Sequence, residues 1–430
     1  MSTPQPPTPS RFGYATGLGC RECGQRYPLG STHACAECFG PLEVRYSYPA
    51  LDRAGIEAGP PNIWRYASLL PVPPDVAGTP NTEPGWTRLI RAEQLSRELG
   101  LRALWVKDER SNPTHSFKDR VVAVALAAAV ELGYKVLACP STGNLANAVA
   151  AAAARAGIRS VVIIPADLEP QKIVASAVYG GTMVPVLGTY DDVNRLASEL
   201  ADDREDWAFV NVNVRPYYAE GSKTIGFEIA EPLGWRLPAQ IVVPVASGAQ
   251  LVKIDKAFRE LIMLGLVEDT PYRVFGAQAT GCSPVAAAFR DGYDVVQPVR
   301  PSTIAKSLAI GNPADGPYVL DVVRRTGGAV ADVDDAAVVS AMRLLATTEG
   351  IFGETAGGVT LGVLRSLLAS GQLDPAAETV IINSGDGLKT LDAVADVAGG
   401  IAPIRPTLDS FLAFEAGLAS PAGPAGPQPN

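Results

Sequence analysis

The chain has 430 residues, with 47% hydrophobic and 19% charged residues, enough for two or three globular units with sizeable cores and too much for one small module. Lys and Arg number 36 against 45 Asp and Glu, a formal net charge of −9 that excludes a chain-wide nucleic-acid footprint or an anionic-membrane binder. With only two histidines, His33 and His115, His-rich metal sites and two-histidine proton relays are excluded by count, so catalysis must rest on other groups.

Residues 1–11 carry four prolines and read as a disordered leader. No secretory signal or membrane-spanning run is evident, so a soluble cytoplasmic protein is expected. The segment 12–60 holds Cys20 and Cys23, then Cys35 and Cys38. Two CxxC turns facing each other place four thiolates around a tetrahedral Zn²⁺, so a small structural zinc ribbon is expected here, against the alternative of free or disulfide-forming thiols. Cys139 and Cys282 sit in apolar or turn contexts and read as packing residues.

After a Pro-rich linker, apolar runs at 136–140, 161–165, 183–188, 241–245, 272–279 and 379–385 alternate with Ala-rich helical segments. That alternation predicts an α/β fold with parallel sheets covered on both faces. Residues 416–430 read as a flexible tail.

Ligands of such sheets bind where strands end and helices begin, which directs inspection to three turns. These are Ser141, Thr142, Gly143 and Asn144; Ala246, Ser247, Gly248 and Ala249; and Asn383 to Lys389. Free backbone amides and the positive helix end suit an anion or a polar ring substituent at the first, and backbone amides suit a phosphate at the second, although small residues at such turns also serve as plain tight connections. Upstream lies Asn112-Pro-Thr-His-Ser-Phe-Lys-Asp-Arg120. Ser116 with Asp119 three residues on predicts a capping box, which puts Lys118 in the first helical turn. A lysine opposes the positive helix end, and partial burial there would ease loss of its proton, as a Schiff-base lysine requires. The plainer alternative is an exposed lysine on a helix start.

These motifs, with Ile310-Gly-Asn-Pro313, fall in the order and rough spacing of pyridoxal-phosphate enzymes, and over residues 18 to 400 the chain resembles the fold type II, tryptophan-synthase-β-like group, specifically the threonine synthase family with an N-terminal ribbon. The resemblance implies a two-domain fold, with 61–111 and 221–410 as the large cofactor-binding domain and 112–220 as a small mobile domain. It implies that Lys118 forms a Schiff base with the cofactor aldehyde and then shuttles protons, and that Asn144 contacts the phenolic oxygen. Ala246, Ser247, Gly248, Ala249 and Gln250 would hold the cofactor phosphate, and Ser384 would face the pyridine nitrogen. A hydroxyl there, rather than a carboxylate, implies a less protonated ring and a weaker electron sink. Ala246, Gln250, Ser384 and His115 depart from the commoner family residues.

The implied reaction converts O-phospho-L-homoserine and water to L-threonine and phosphate. Arg215, Ser222, Lys223 and Lys306 are the candidates for the substrate phosphate, against a reading as surface charges, and Ser141, Thr142 and Asn147 for its carboxylate. His115 is open between substrate contact and packing. The expected partners are a small amino-acid substrate and a second copy of the chain, with no nucleic acid and no membrane. Two other readings are a threonine or serine dehydratase, or related β-replacement synthase, and an inactive synthase-like binding protein.

Overall fold

The computed structural model describes residues 8–141, 143–167, 170–188, 190–398 and 403–419. The chain divides into two compact units, residues 1–390 and 391–430. The first contains three sheets.

Strands β1 (Ala15–Cys20), β2 (Arg26–Tyr27) and β3 (Leu42–Tyr46) form an antiparallel sheet in the order β2-β1-β3. The ribbon is not a separate bead. Phe12, Ala15, Leu18, Leu42 and Val44 share one apolar core with Val121, Val122 and Ala125 of the helix Lys118–Glu131. Residues expected to be leader are tied down as well: Arg11 donates to Glu131 O at 2.9 Å, and Ser10 and Gly13 close a backbone bridge that lets Phe12 bury its ring.

The remaining strands are β4 (Arg88–Arg91), β5 (Ala103–Asp108), β6 (Val136–Pro140), β7 (Arg159–Pro165), β8 (Thr182–Val186), β9 (Trp207–Phe209), β10 (Gln240–Pro244), β11 (Arg273–Ala279), β12 (Val330–Val333) and β13 (Glu378–Asn383). A four-stranded parallel sheet runs β8-β7-β6-β9, within the 112–220 segment. A six-stranded sheet runs β12-β11-β10-β13-β5-β4, parallel except for the edge strand β4. The apolar runs read from the sequence are these strands, and β6 and β10 are buried at every residue, as sheets covered by helices on both faces require.

The helices carry the same logic. Lys118–Glu131 is buried from Asp119 through Ala129, and eleven consecutive interior positions of mostly Val and Ala suit a helix surrounded by protein. In the second unit the helix Leu408–Ala419 extends into the segment expected to be a tail; its Ala and Leu content keeps helix propensity where low complexity had suggested none. Residues 1–7 of the expected leader and 420–430 of the expected tail lie outside the described residues. Among the described residues, no helix is long and apolar enough to cross a membrane.

Candidate active site

Strands β5, β13 and β10 are parallel neighbours, Asn383 pairing with Asp108 and Ile381 with Val242, so the loops that follow them leave the same sheet edge. These are the loop 109–117, the turn at 384–387 and the turn at 246–248. The first two are laced together: Phe117 N donates to Ser384 O at 3.0 Å, Asp386 N to His115 O at 3.1 Å, and Ser116 bridges Gly385.

This lacing sets the start of the Lys118 helix, and the predicted capping box does not form. The Ser116 hydroxyl is buried without a protein partner, and Asp119 accepts from Thr114 N at 2.8 Å and Thr114 Oγ1 at 2.9 Å instead. The Thr114 amide is buried in the loop and takes the nearest carboxylate. Burial pushes the Asp119 carboxyl up to about 6, against the pull of those Thr114 bonds. One residue on, the fully buried Arg120 anchors the helix through Glu109 at 2.5 Å and Glu228 at 2.6 Å. Lys107 joins the same cluster through Glu228 at 2.9 Å.

Lys118 is the first residue of the helix, as expected. Its Nζ lies 4.5 Å from the ring centre of Phe117 and 5.9 Å from that of Tyr218. Burial disfavours the ammonium and lowers its pKa to about 8, with the Glu354 carboxylate pulling the other way. Thus the lysine is readily made neutral, the condition for a nucleophilic amine.

Around it stand residues from distant parts of the chain. Asn144 opens the helix Asn144–Ala156; its Nδ2 donates to Glu354 at 2.9 Å and its Oδ1 accepts from Lys389 Nζ at 2.8 Å. Lys389 Nζ also donates to Thr114 O. Ser384 Oγ donates to Glu354 Oε1 at 2.8 Å. Sequence reasoning assigned no role to Glu354, Tyr218 or Lys389, although Lys389 closes the 383–389 motif.

At the third turn, Gly248 caps the helix Ala249–Met263 with φ +100°, and a side chain there would meet Val319 at 2.7 Å and Asp315 at 3.0 Å, so glycine is required. No side chain caps this helix start, whose first amides therefore point outward for an anion. Gln250 Nε2 is buried without a protein partner. A donor set of free amides plus an unpaired amide NH₂ fits a phosphate, and Lys118 with Asn144 and Ser384 fits a pyridine aldehyde; the residues present suit pyridoxal phosphate.

The other expected site residues fall differently. Arg215 begins the helix Arg215–Glu220 and pairs with Asp315 at 2.7 Å, while Asp315 N donates to Ser247 O at 2.8 Å, so this arginine is one residue removed from the turn at 246–248. Tyr218 lies one turn along the same helix. Lys223 is corrected: it is fully buried, with Glu220 and Glu260 each at 2.9 Å and Leu69 O at 2.6 Å, which occupies its donors and leaves none for a substrate phosphate. Ser222 is buried beside it, and Lys306 is exposed on a separate short turn. Ser141 accepts from Gly143 N at 3.4 Å, and Asn147 Oδ1 accepts from Ser176 at 2.8 Å. Thr142 lies outside the described residues. His115 is exposed in the left-handed region (φ +62°), its Nδ1 3.2 Å from Arg110 O.

In the ribbon, the four sulfurs of Cys20, Cys23, Cys35 and Cys38 lie within 4.8 Å of one another, with Cys20 to Cys38 at 3.4 Å and Cys23 to Cys35 at 3.5 Å. The two short separations are near the ~3.8 Å edge of a thiolate tetrahedron around a zinc ion ~2.3 Å from each sulfur, so the four residues fit such an ion. Burial pushes the Cys139 and Cys282 thiols up, away from thiolate nucleophiles.

A family model described as pyridoxal-phosphate dependent enzyme matches residues 81–385, more than half the chain, and one described as NinF protein matches residues 19–43. The chain belongs to the pyridoxal-phosphate-dependent enzyme family. It is 36% identical over 380 residues to the threonine synthase of Methanocaldococcus jannaschii, covering 87% of this chain and 93% of that protein. The threonine synthase of Methanosarcina acetivorans is 35% identical over 385 residues, covering 88% and 94%. Among solved structures, the processed form of threonine deaminase isoform 2 from Solanum lycopersicum shares the fold with a TM-score of 0.62 at 20% identity, covering 76% of this chain and 92% of that one.

Proposed function

We propose that the protein is a threonine synthase, a lyase that converts O-phospho-L-homoserine and water to L-threonine and inorganic phosphate. The observation that carries this reading is the half-buried Lys118, brought together with Asn144 and Ser384 in a chain that aligns along nearly its whole length with threonine synthases.

Lys118 would hold the pyridoxal phosphate, with Asn144 toward its phenolic oxygen, Ser384 toward its ring nitrogen, and Ala246 to Gln250 around its phosphate. When bound, the cofactor supplies an electron sink that acidifies the substrate protons at Cα and Cβ. The neutral Lys118 amine takes the proton at Cα and then assists at Cβ, for which a pKa of about 8 is well matched. Phosphate leaves from Cγ, a proton returns there, water adds at Cβ, and Lys118 gives a proton back to Cα, so that substrate and water balance threonine and phosphate. Arg215 is the leading cation for the substrate phosphate, close to the cofactor-phosphate turn through Asp315. Ser141 and Asn147 lie on the loop and helix that would meet the carboxylate. Closure of the 112–220 segment over the site would exclude bulk water until the addition step.

The ribbon cysteines would hold a structural Zn²⁺, which metal analysis of the purified protein should find at one per chain and lose on combined Cys20→Ser and Cys35→Ser substitution. We also expect a cytoplasmic homodimer, checked by light scattering.

The deciding experiment measures threonine and phosphate formed from O-phosphohomoserine by the cofactor-loaded protein, with Lys118→Ala as control. Equal yields that vanish in the control are expected. A loaded enzyme that makes no threonine would sink the reading and redirect the search to phosphate-free substrates such as serine and threonine.

A further inference from the structure

A second lysine reaches the site without a role in the scheme above. Lys389 lies two residues past the turn at 384–387, half-buried, and its Nζ donates to two carbonyl oxygens, Asn144 Oδ1 at 2.8 Å and Thr114 O. Its backbone is fixed on both sides. Gly387 N donates to Phe352 O at 3.0 Å, a side chain at position 387 would come within 2.5 Å of the Phe352 ring, and Thr390 Oγ1 accepts from Thr355 N at 3.3 Å. Lys389 thus ties the first residue of the helix Asn144–Ala156 to the loop that leads into Lys118.

An asparagine side chain has one acceptor oxygen and one NH₂ with two hydrogens, and it can be turned over about its last bond. What fixes its direction is the chemistry of its neighbours. Lysine has hydrogens for both of its oxygen partners here in either charge state, three as the ammonium and two as the amine. With the Asn144 carbonyl held toward Lys389, the NH₂ faces away from it. One N–H goes to Glu354 Oε2 at 2.9 Å, and one remains for another acceptor. Turned over, the same group would set nitrogen against nitrogen at Lys389 and oxygen against oxygen at Glu354.

We propose that Lys389 is the positioning residue that holds the Asn144 amide with its N–H, and not its carbonyl, toward the phenolic oxygen of the bound cofactor. The inference rests on the pyridoxal-phosphate reading above and deepens it. A ring oxygen that carries negative charge is stabilised by a donor already in place and destabilised by a carbonyl in the same position. Lys389 acts through Asn144, and its bond to Thr114 O keeps that amide in register with the loop before Lys118.

The test is a double-substitution cycle on the whole protein, read by the dissociation constant for pyridoxal phosphate, the absorbance maximum of lysine-bound cofactor, and kcat. Lys389→Met removes the hydrogens and keeps most of the side-chain length. It should move the absorbance maximum in the same direction as Asn144→Ala does. It should also weaken cofactor binding and lower kcat, each by about tenfold, while KM for O-phosphohomoserine stays within about twofold. Adding Lys389→Met to Asn144→Ala should then change none of the three readings by more than about twofold, because the amide through which the lysine acts is gone. Equal losses in the two backgrounds overturn the proposal, since the lysine then acts by itself. A Lys389→Met protein with the native maximum and native kcat overturns it as well. Lys389→Ala runs through the same cycle where the methionine variant does not fold. Loading is read separately: a native protein that shows no absorbance of lysine-bound cofactor overturns the underlying reading, and this inference with it.

Discussion

Lys118 and Lys223 pose the same local problem and solve it in opposite ways. Each is the first residue of a helix, each follows a serine closely, and each opposes the positive helix end. Lys223 is fully buried with Glu220 and Glu260 both at 2.9 Å and the ring of Tyr46 at 4.2 Å. Its carboxylates belong to a larger cluster in which Lys253 pairs with Glu43 of the ribbon and Lys256 with Glu220, joining the ribbon to the helix Ala249–Met263. Lys118 faces two aromatic rings, with Glu354 acting only at longer range, and its proton is loosely held. Burial alone does not make a lysine reactive. What decides it is whether carboxylates fill the shell around the ammonium.

Exchanging the two lysines' fates is the direct way to break this comparison. Lys118→Ala should lower threonine formation by ~10³-fold or more, because the proton carrier at Cα and Cβ is gone, and should abolish the absorbance of lysine-bound cofactor. Lys223→Met should do the reverse. Leaving Glu220 and Glu260 short of a buried partner should cost ~3 kcal/mol in urea unfolding, while the folded fraction keeps its KM for O-phosphohomoserine. A large rise in KM with unchanged stability would mean that Lys223 meets the substrate after all. Arg215→Ala sits between these extremes. Loss of a charged donor to the substrate phosphate should raise KM by ~10- to 100-fold with little effect on cofactor absorbance, and a KM unchanged in that variant would leave Arg215 as the partner of Asp315 alone.

What was legible in the sequence follows the same division. The apolar runs of β6, β7, β10, β11 and β13 announce themselves because nothing polar interrupts them. Strand β5 (ALWVKD) did not, since Lys107 and Asp108 look like surface residues until Glu228 and Asn383 arrive from across the fold. Strands β9 and β12 are only three and four residues long and leave little pattern. The cysteine spacing pointed to the sulfur cluster, but not to the core that the ribbon shares with the Lys118 helix. Lys118, Asn144 and Ser384 were visible because each stands in a short motif at a strand or helix end. Glu354 was not: its partners lie 30 and 210 residues away, and a glutamate before an apolar helix has no local signature.

The smallest effect expected is the most direct measure of how far the two lysines differ. In the cofactor-free protein the Lys118 pKa is lowered to about 8, so its amine is mostly protonated at pH 7 and mostly free at pH 9. The initial rate of pyridoxal phosphate capture should rise about tenfold over that interval and level off above pH 9, whereas an ordinary lysine would keep gaining past pH 10. Stability must follow with a fixed sign. Between pH 8 and 10.5 the unfolded chain holds a proton that the folded chain has released, so the stability of the cofactor-free protein rises with pH across that window. Below pH 8 the full penalty of burying the charge remains, and Lys118→Met should therefore stabilise the cofactor-free protein by ~1 kcal/mol or more at pH 7, the gain fading toward pH 10.5. A capture profile still climbing above pH 10, together with a Lys118→Met variant no more stable than the native chain, would show that some group fills the shell around Lys118 as Glu220 and Glu260 fill that of Lys223.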